Sequence, residues 1–460
     1  MDHRDLEQRG LPAGGLWLDR YHIDSMQIAW QSGIDEQSTF DLFSRRTPYG
    51  GAYILTAGLE LALDFAATFG YTDDDIAYLA SLGRYDAAFL AWLRDLRFTG
   101  EILAMPEGTI AFADEPLLRV TAPFAEALAL EAGLLHLIGI SSVIATKAAR
   151  MVYAAAGKPI ADFSLRRAHH PWLTTRSALL AGFASTSNLD AARDLHMPAS
   201  GTVPHALIEA YPTEEAAFRA IARSFDRYSL LLDTYDVHRA TELAIRVADE
   251  VLAERGHRLE SVRIDSGDLE AQAFAIRQAL DAGGWTETMI LASGDLDDTS
   301  IAALVASGAP VDGFGVGGRL VTPEISSNTI SASMSTVYKL VWLEDTAAPA
   351  RMKLSDGKMT WPGRKQVARF NDWSSDLVLL EQESIPAGAS PLLTLVMRDG
   401  EVTDQHRPTF SQLRERAARN LAELPEPLAA LSPTTRHNVA YADALHRLRD
   451  ETRARLDALI

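Results

Sequence analysis

The chain predicts an α/β fold built on a parallel sheet, and three observations carry that reading. Between Ser229 and Thr322 lie four short apolar runs: SLLLDTYD (Ser229–Asp236), SVRIDSGD (Ser261–Asp268), TMILASGD (Thr288–Asp295) and VDGFGVGGRL (Val311–Leu320). They are rich in Ile, Leu and Val, as strands buried on both faces are. The stretches between them have helical spacing: Ala240, Leu243, Val247 and Val251 before Gly256, then Leu269, Ala273, Ile276 and Leu280 before Gly283-Gly284. Asp297 or Asp298 is placed to cap the next helix and Gly308 to end it. Successive βα units imply parallel strands with right-handed crossovers, in a sheet that is either open or closed into a barrel.

The third observation is what stands at the carboxyl ends of these strands, where such folds place ligands. Asp233, Asp236, Asp265, Asp268, Gly294, Asp295, Gly315, Gly317 and Gly318 collect there. Glycines after a strand let backbone N–H groups approach a phosphate. Carboxylates accept ribose hydroxyls or hold Mg²⁺, directly or through water. A sugar phosphate with a metal-bound polyphosphate fits this set. In any one unit the same Asp and Gly read better as ordinary turn residues. Their recurrence in four units favours a site.

Composition sets the outer bounds. The 460 residues allow one large or two to three ordinary domains, and 47% hydrophobic residues supply a large core. There are no cysteines, so disulfides and thiolate metal sites are excluded. The N-terminal MDHRDLEQRG is charged and lacks the apolar core of a signal peptide. No uninterrupted apolar run reads as a membrane span, and a soluble, cytoplasmic protein is expected. A net charge of −19 argues against nucleic-acid binding, which needs clustered Lys and Arg. It also gives weight to arginines beside glycine-rich turns, because an anionic ligand needs local positive charge.

Along the rest of the chain, Leu16–Trp30 reads as a helix, with Tyr21 either a core aromatic or a ring that stacks on a ligand. Thr47–Ala66 is a glycine turn followed by an apolar segment. Glu101–Ala127 reads as three strands with turns at Pro106–Gly108 and Glu115-Pro116. Ala125–Ala156 is strongly helical. In DFSLRRAHHP (Asp162–Pro171), Arg166 and Arg167 on a strand or its exit point different ways, one of them able to fork onto a carboxylate or phosphate. His169 and His170 lack zinc spacing. His205 follows a Gly-Thr turn and reads as a structural histidine or as an acid/base or nucleophilic group. Ser335–Leu343, Arg351–Arg369, Leu377–Glu381 and Leu392–Val396 have strand character, and Phe410–Ile460 reads as charged helices.

These motifs together resemble one family. LWLDRYHIDSM, GGAYILTAGLE, AMPEGTIAFADEPLLRV, IATKAARM, DFSLRRAHHP, TSN, SGTVPHALI, LLDTYDV, VRIDSGDL, SGDLD, FGVGGRLVT, VYKLV, KLSDGK and WPGRKQVAR occur in the order found in nicotinate phosphoribosyltransferases. The resemblance implies an irregular TIM-like α/β barrel over residues 131–330, packed on an α/β sandwich formed by residues 1–130 and 331–460. It implies that nicotinate and 5-phosphoribosyl 1-pyrophosphate give nicotinate mononucleotide and pyrophosphate, with Mg²⁺, and with ATP hydrolysed through a phosphohistidine at His205. It assigns the phosphate loop to Gly294, Asp295, Gly315, Gly317 and Gly318, and the ribose and pyrophosphate region to Asp233, Arg263 and Asp265. Phe163, Arg166 and Thr202 are implied as substrate contacts, with Tyr21 coming from the other subunit of a homodimer. No direct metal ligand is assigned. Ser187 stands where nicotinamide-using relatives have an aspartate, which favours a carboxylate substrate. Ser164, Ser185 and Pro204 depart from the family pattern.

Four other readings remain. A nicotinamide-using sister enzyme is opposed by the Arg pair and the missing aspartate. Quinolinate phosphoribosyltransferase is shorter and needs more basic residues. A binding-only sensor is opposed by His205, Asp233 and Asp265. A barrel aldolase needs a lysine at a strand end, and none of the four strands has one.

Overall fold

The computed structural model describes residues 3–322, 331–344, 347–355, 358–404 and 406–459. The chain forms two compact units, Lys147–Glu324 and the pair of segments Met1–Thr146 and Ile325–Ile460. The expected boundary at 330/331 lies outside the described residues.

Lys147–Glu324 contains a six-stranded, wholly parallel sheet. Its order is Ser185–Thr186, Ile160–Asp162, Gly313–Val316, Met289–Ala292, Arg258–Ile264, Arg227–Leu231. The four strands read from the apolar runs are therefore neighbours, and the last of them joins the earlier strand at Ile160. The two end strands do not pair, so the sheet is a half-barrel. Helices Val237–Arg255, Leu269–Ala282 and Asp298–Ala306 alternate with the strands. Ala240, Leu243, Val247 and Val251 form a buried stripe on the first, and Ala273, Ile276 and Leu280 on the second. Asp236, Asp268 and Asp297 each cap a helix by accepting from backbone N–H groups of its first turn. Asp236 and Asp268, gathered above with the ligand-side carboxylates, thus satisfy orphan helix donors. Gly256 ends the first helix in the left-handed region at φ 75°.

The other unit is knitted from both parts of the chain. Its larger sheet is antiparallel in the order Thr336–Leu343, Gln37–Ser44, Pro116–Pro123, Glu101–Ala104, Thr394–Arg398, Glu401–Val402. A second sheet runs Ala389–Pro391, Lys365–Phe370, Asp376–Leu380, Val439–Tyr441. Three sequence expectations need correction here. The helix read over Leu16–Trp30 runs from Arg20 to Ser32, so Leu16–Asp19 is outside it. Of Arg351–Arg369 only Lys365 onward is strand, and residues 356–357 lie outside the described ones. The charged C-terminal stretch contains the strand Val439–Tyr441, whose three residues are too short to show a period.

The helix Glu131–Ala154 bears on the membrane reading. It is long and apolar enough to cross a membrane, with a mean hydropathy of 1.5, but 72% of that stretch is buried within the protein. Burial of this kind marks a core helix.

Within the second unit, Asp376 is fully buried and takes hydrogen bonds from Arg369 and His437. Burial would raise its pKa, but the His437 and Arg369 bonds hold the carboxyl well below the usual range. Glu115 beside it is also fully buried and accepts from Phe112 N at 2.8 Å. Burial pushes Glu115 well above the usual range, and the Asp376 charge adds to the rise. The folded chain therefore keeps a proton on Glu115 at pH values where the unfolded chain has lost it. Stability from this group is fully present below the ordinary glutamate value and is lost as pH rises through the folded one. Glu115→Gln keeps a carbonyl for Phe112 and an N–H for Asp376 without titrating. Its stability advantage over wild type should grow from pH 5 to pH 9, on the order of 1 kcal/mol per pKa unit removed. Thermal unfolding across that range checks this. A constant offset at every pH would refute it.

Candidate functional site

The site lies within Lys147–Glu324, at the carboxyl ends of the parallel strands. Arg263 and Asp265 are two apart on and just beyond the strand Arg258–Ile264, so they share a face. All three nitrogens of the Arg263 guanidinium are used: Nε donates to Ser293 Oγ, Nη1 to Thr202 Oγ1 and Nη2 to Asp265 Oδ1, each at 2.8 Å. Ser293 Oγ also donates to Asp265 Oδ1 at 2.5 Å. One guanidinium thus joins the loop carrying Thr202, the turn carrying Ser293 and Gly294, and the turn after its own strand. Burial alone would raise the Asp265 pKa. The Ser293 and Arg263 hydrogen bonds and the charges of Arg263 and His205 outweigh it and hold this carboxyl below the usual range.

Asp233 belongs to the same cluster. Its Oδ2 accepts from Asp265 N at 3.1 Å and from Ser266 Oγ at 2.6 Å. Its Oδ1 is buried with no hydrogen-bond partner. His205 opens the helix His205–Glu209, and its Nδ1 lies 3.1 Å from Thr234 Oγ1. Pro204 is the N-cap with φ −80°, a value proline adopts without strain, at a position where a helix does not use the N–H. Neither Ser164 nor Ser185 has a positive φ, so neither place requires glycine. All three departures from the motif pattern are therefore compatible with the local backbone.

Two cavities meet over this network. One, about 340 Å³, is lined by Phe163, Arg166, Ser187, Thr202, His205, Arg263 and Asp265, among others. The other, about 230 Å³, is lined by Phe163, Arg166, Arg167, Ser293, Gly294, Asp295, Gly315, Gly317 and Gly318, again with Arg263 and Asp265. The Arg263 guanidinium sits 5.6 Å from the Phe163 ring centroid. Arg166 and Arg167 were expected to diverge, yet both line the smaller cavity. The backbone at 165–167 is a turn rather than a strand, so neighbouring side chains need not alternate.

The glycines divide by role. A Cβ on Gly294, at φ +95°, would lie 1.9 Å from Asp265 O, and one on Gly315 would lie 2.3 Å from the Phe163 ring. These two permit close packing of the frame. Gly317 would meet Phe163 O at 3.1 Å and Gly318 only side-chain atoms of Arg167 and Thr322 at 4.0 Å, so the cradle surface belongs to these two. Asp295 is exposed on the rim with φ 49°. Tyr21 belongs to the other compact unit, on the helix Arg20–Ser32, with its side chain 53% exposed and its ring 4.0 Å from that of His22. Sequence reading missed Ser293, Ser266 and Thr234, whose hydroxyls hold the charged groups. The only available signal was the Ser that precedes Gly-Asp in both DSGD and SGD.

Adjoining cavities at the carboxyl ends of the strands, one of them lined by glycines, define the class of parallel βα half-barrel proteins with a ligand site at that end of the sheet. Residues 16–139 match the family model of the nicotinate phosphoribosyltransferase (NAPRTase) N-terminal domain. Nicotinate phosphoribosyltransferase pncB2 of Mycobacterium tuberculosis is 38% identical over 92% of this chain and 90% of its own length. The human nicotinate phosphoribosyltransferase is 31% identical over 94% of this chain and 95% of its own length. The crystal structure of the human protein superposes with a TM-score of 0.83 at 29% identity, covering 94% of this chain and 99% of that one. The chain belongs to the nicotinate phosphoribosyltransferase family. A nicotinate-nucleotide pyrophosphorylase from Pyrococcus furiosus shares the fold, with a TM-score of 0.71 at 22% identity.

Proposed function

We propose that the chain joins nicotinate to 5-phosphoribosyl 1-pyrophosphate, forming nicotinate mononucleotide and pyrophosphate in NAD salvage, with ATP and water converted to ADP and phosphate. The observation that carries this reading is the shared wall of the two lobes, Phe163, Arg166, Arg263 and Asp265. A flat pyridine carboxylate in the aromatic lobe and a phosphorylated ribose in the glycine lobe would meet over that wall.

The pyridine nitrogen already carries the attacking lone pair, so no general base is required. It bonds to the ribose anomeric carbon as the carbon–oxygen bond to pyrophosphate breaks, and that electron pair leaves with pyrophosphate. Phe163 backs the ring, and Arg166 supplies positive charge for the substrate carboxylate. Asp233 and Asp265 stand where an oxocarbenium-like ribose needs negative charge. Gly317, Gly318 and Arg167 receive the 5-phosphate. Mg²⁺ fits the donor set, because Asp233 Oδ1 is buried without a partner and Asp265 stays ionised beside it. These two carboxylates would hold the ion, with ligand oxygens and water completing its shell. The ion supplies charge neutralisation to pyrophosphate.

For ATP coupling, His205 is the phosphoryl acceptor. In the tautomer whose Nδ1–H donates to Thr234 Oγ1, 3.1 Å away, the lone pair resides on Nε2, which takes the γ-phosphoryl group and later passes it to water. The enzyme works in the cytoplasm as a homodimer, and Tyr21 of the partner subunit covers the pyridine lobe. The exposure of Tyr21 on a helix supports that role.

The test is a product assay with Mg²⁺ and phosphoribosyl pyrophosphate, comparing nicotinate with nicotinamide, with and without ATP. Nicotinate mononucleotide should form from nicotinate at least tenfold faster than product forms from nicotinamide. ATP should stimulate it, and His205→Ala should remove the stimulation. Preference for nicotinamide would overturn the substrate assignment. ATP stimulation that survives in His205→Ala would overturn the phosphohistidine.

A further inference from the structure

We propose that Asp162, which lines neither cavity, is the positioning residue that assembles the pyridine lobe. The inference rests on the reading of that lobe as the nicotinate site. Asp162 ends the strand Ile160–Asp162 and is fully buried. Its Oδ1 accepts from Ser164 N at 2.9 Å. Its Oδ2 accepts from Thr175 Oγ1 at 2.7 Å and from Thr186 Oγ1 at 2.8 Å. Its backbone carbonyl accepts from Ser187 N at 2.9 Å and from Ser187 Oγ at 3.2 Å.

These bonds reach both walls of the lobe. The Ser164 bond fixes the turn that presents Phe163 and Arg166. The Thr186 and Ser187 bonds fix the segment that presents Ser187. Thr175 ties both to the buried helix Pro171–Leu180. Three residues lining the 340 Å³ cavity thus depend on one residue outside it. Gly294, Asp295 and Gly318 of the phosphate lobe have no such bond to Asp162.

The direction of the protons is also fixed. Thr186 Oγ1 accepts from Asn188 N at 3.0 Å, and Thr175 Oγ1 accepts from Asn188 Nδ2 at 3.3 Å. Both hydroxyl protons therefore point at Asp162, and Ser164 N–H can only donate. The position requires an acceptor on both oxygens. An asparagine has the same shape but presents N–H on one side, so it faces a donor with a donor whichever way it flips. A buried mismatch of this kind displaces the turn, Thr186 or both.

The experiment measures steady-state kinetics of Asp162→Asn, Thr186→Val and Thr175→Val beside wild type, with thermal unfolding as a control. Wild-type turnover of nicotinate decides the underlying reading first. Given that turnover, Asp162→Asn should raise the KM for nicotinate at least tenfold and the KM for phosphoribosyl pyrophosphate by less, since Phe163 and Arg166 line the phosphate lobe as well but Ser187 lines only the pyridine lobe. It should also narrow the preference for nicotinate over nicotinamide. Thr186→Val should move the same two quantities in the same direction by less, and it keeps the Ser164 bond, so it remains informative if Asp162→Asn does not fold. Equal rises in both KM values, or folded variants with unchanged nicotinate KM and unchanged preference, would overturn the proposal.

Discussion

Gly294→Ala should reduce turnover at least about a hundredfold while leaving both compact units folded. The added methyl group would lie 1.9 Å from Asp265 O, and the backbone there has φ +95°, so the substitution is strained on two counts. Backbone, rather than a flexible side-chain tip, is what it meets, so the turn Ser293–Asp295 and the turn at Asp265 must separate. A displacement of about 1 Å in a positioning element costs on the order of 10²-fold in rate. Ser293 moves with that turn, and its bonds to Arg263 and Asp265 are 2.8 and 2.5 Å long, leaving no slack. Turnover within fivefold of wild type would show that the two turns separate without consequence.

Asp265→Asn is the second large effect. It removes the charge that Arg263 and Ser293 converge on and leaves a half-buried guanidinium without its anion. Loss of one preorganised electrostatic group costs on the order of 10²–10³ in kcat. The pH dependence separates this from a loss of binding. The Asp265 pKa is depressed, so the carboxylate is present throughout the ordinary working range and is lost only as pH falls below the usual aspartate value. Wild type and variant should therefore differ by a similar factor at every pH from 5 to 9. Convergence of the two profiles toward pH 5 would mean that Asp265 is already protonated there and would contradict the role given to it.

The four βα units were legible because a strand covered on both faces leaves a continuous apolar run, and because the helices between them keep a regular apolar stripe; Asp236 and Asp268, read as ligand-side carboxylates, are helix caps. Strands Ile160–Asp162 and Ser185–Thr186 were not, since two or three residues carry no period. These two strands also help build the 340 Å³ cavity, of whose lining Arg166 and His205 were picked out by their chemistry and Phe163, Ser187 and Thr202 only through family motifs. Asp265 was legible as a carboxylate at a strand end, whereas Arg263, on the same strand face, entered only through the family motif. Ser293, Ser266 and Thr234 were not, because a hydroxyl in a turn looks the same whether it caps a backbone group or orients a guanidinium. Gly315 illustrates the converse. It was assigned to the phosphate loop, and it lines that cavity, but what demands glycine there is the Phe163 ring 2.3 Å from the would-be Cβ.

The antiparallel pairing of Gln37–Ser44 with Thr336–Leu343 has a consequence for synthesis. The first strand leaves the ribosome roughly 300 residues before its neighbour, a wait of about 15–60 s at typical elongation rates. All six strands of the parallel sheet emerge within that interval, so the half-barrel is able to fold while the sheet that needs both parts of the chain is still short of three strands. Until then Gln37–Ser44 exposes an unpaired edge, and Phe40 and Leu42, buried in the finished protein, are uncovered on it. A nascent chain stalled before Thr336 should therefore hold a folded half-barrel beside an aggregation-prone edge, and it is the natural client of a chaperone that captures exposed strands.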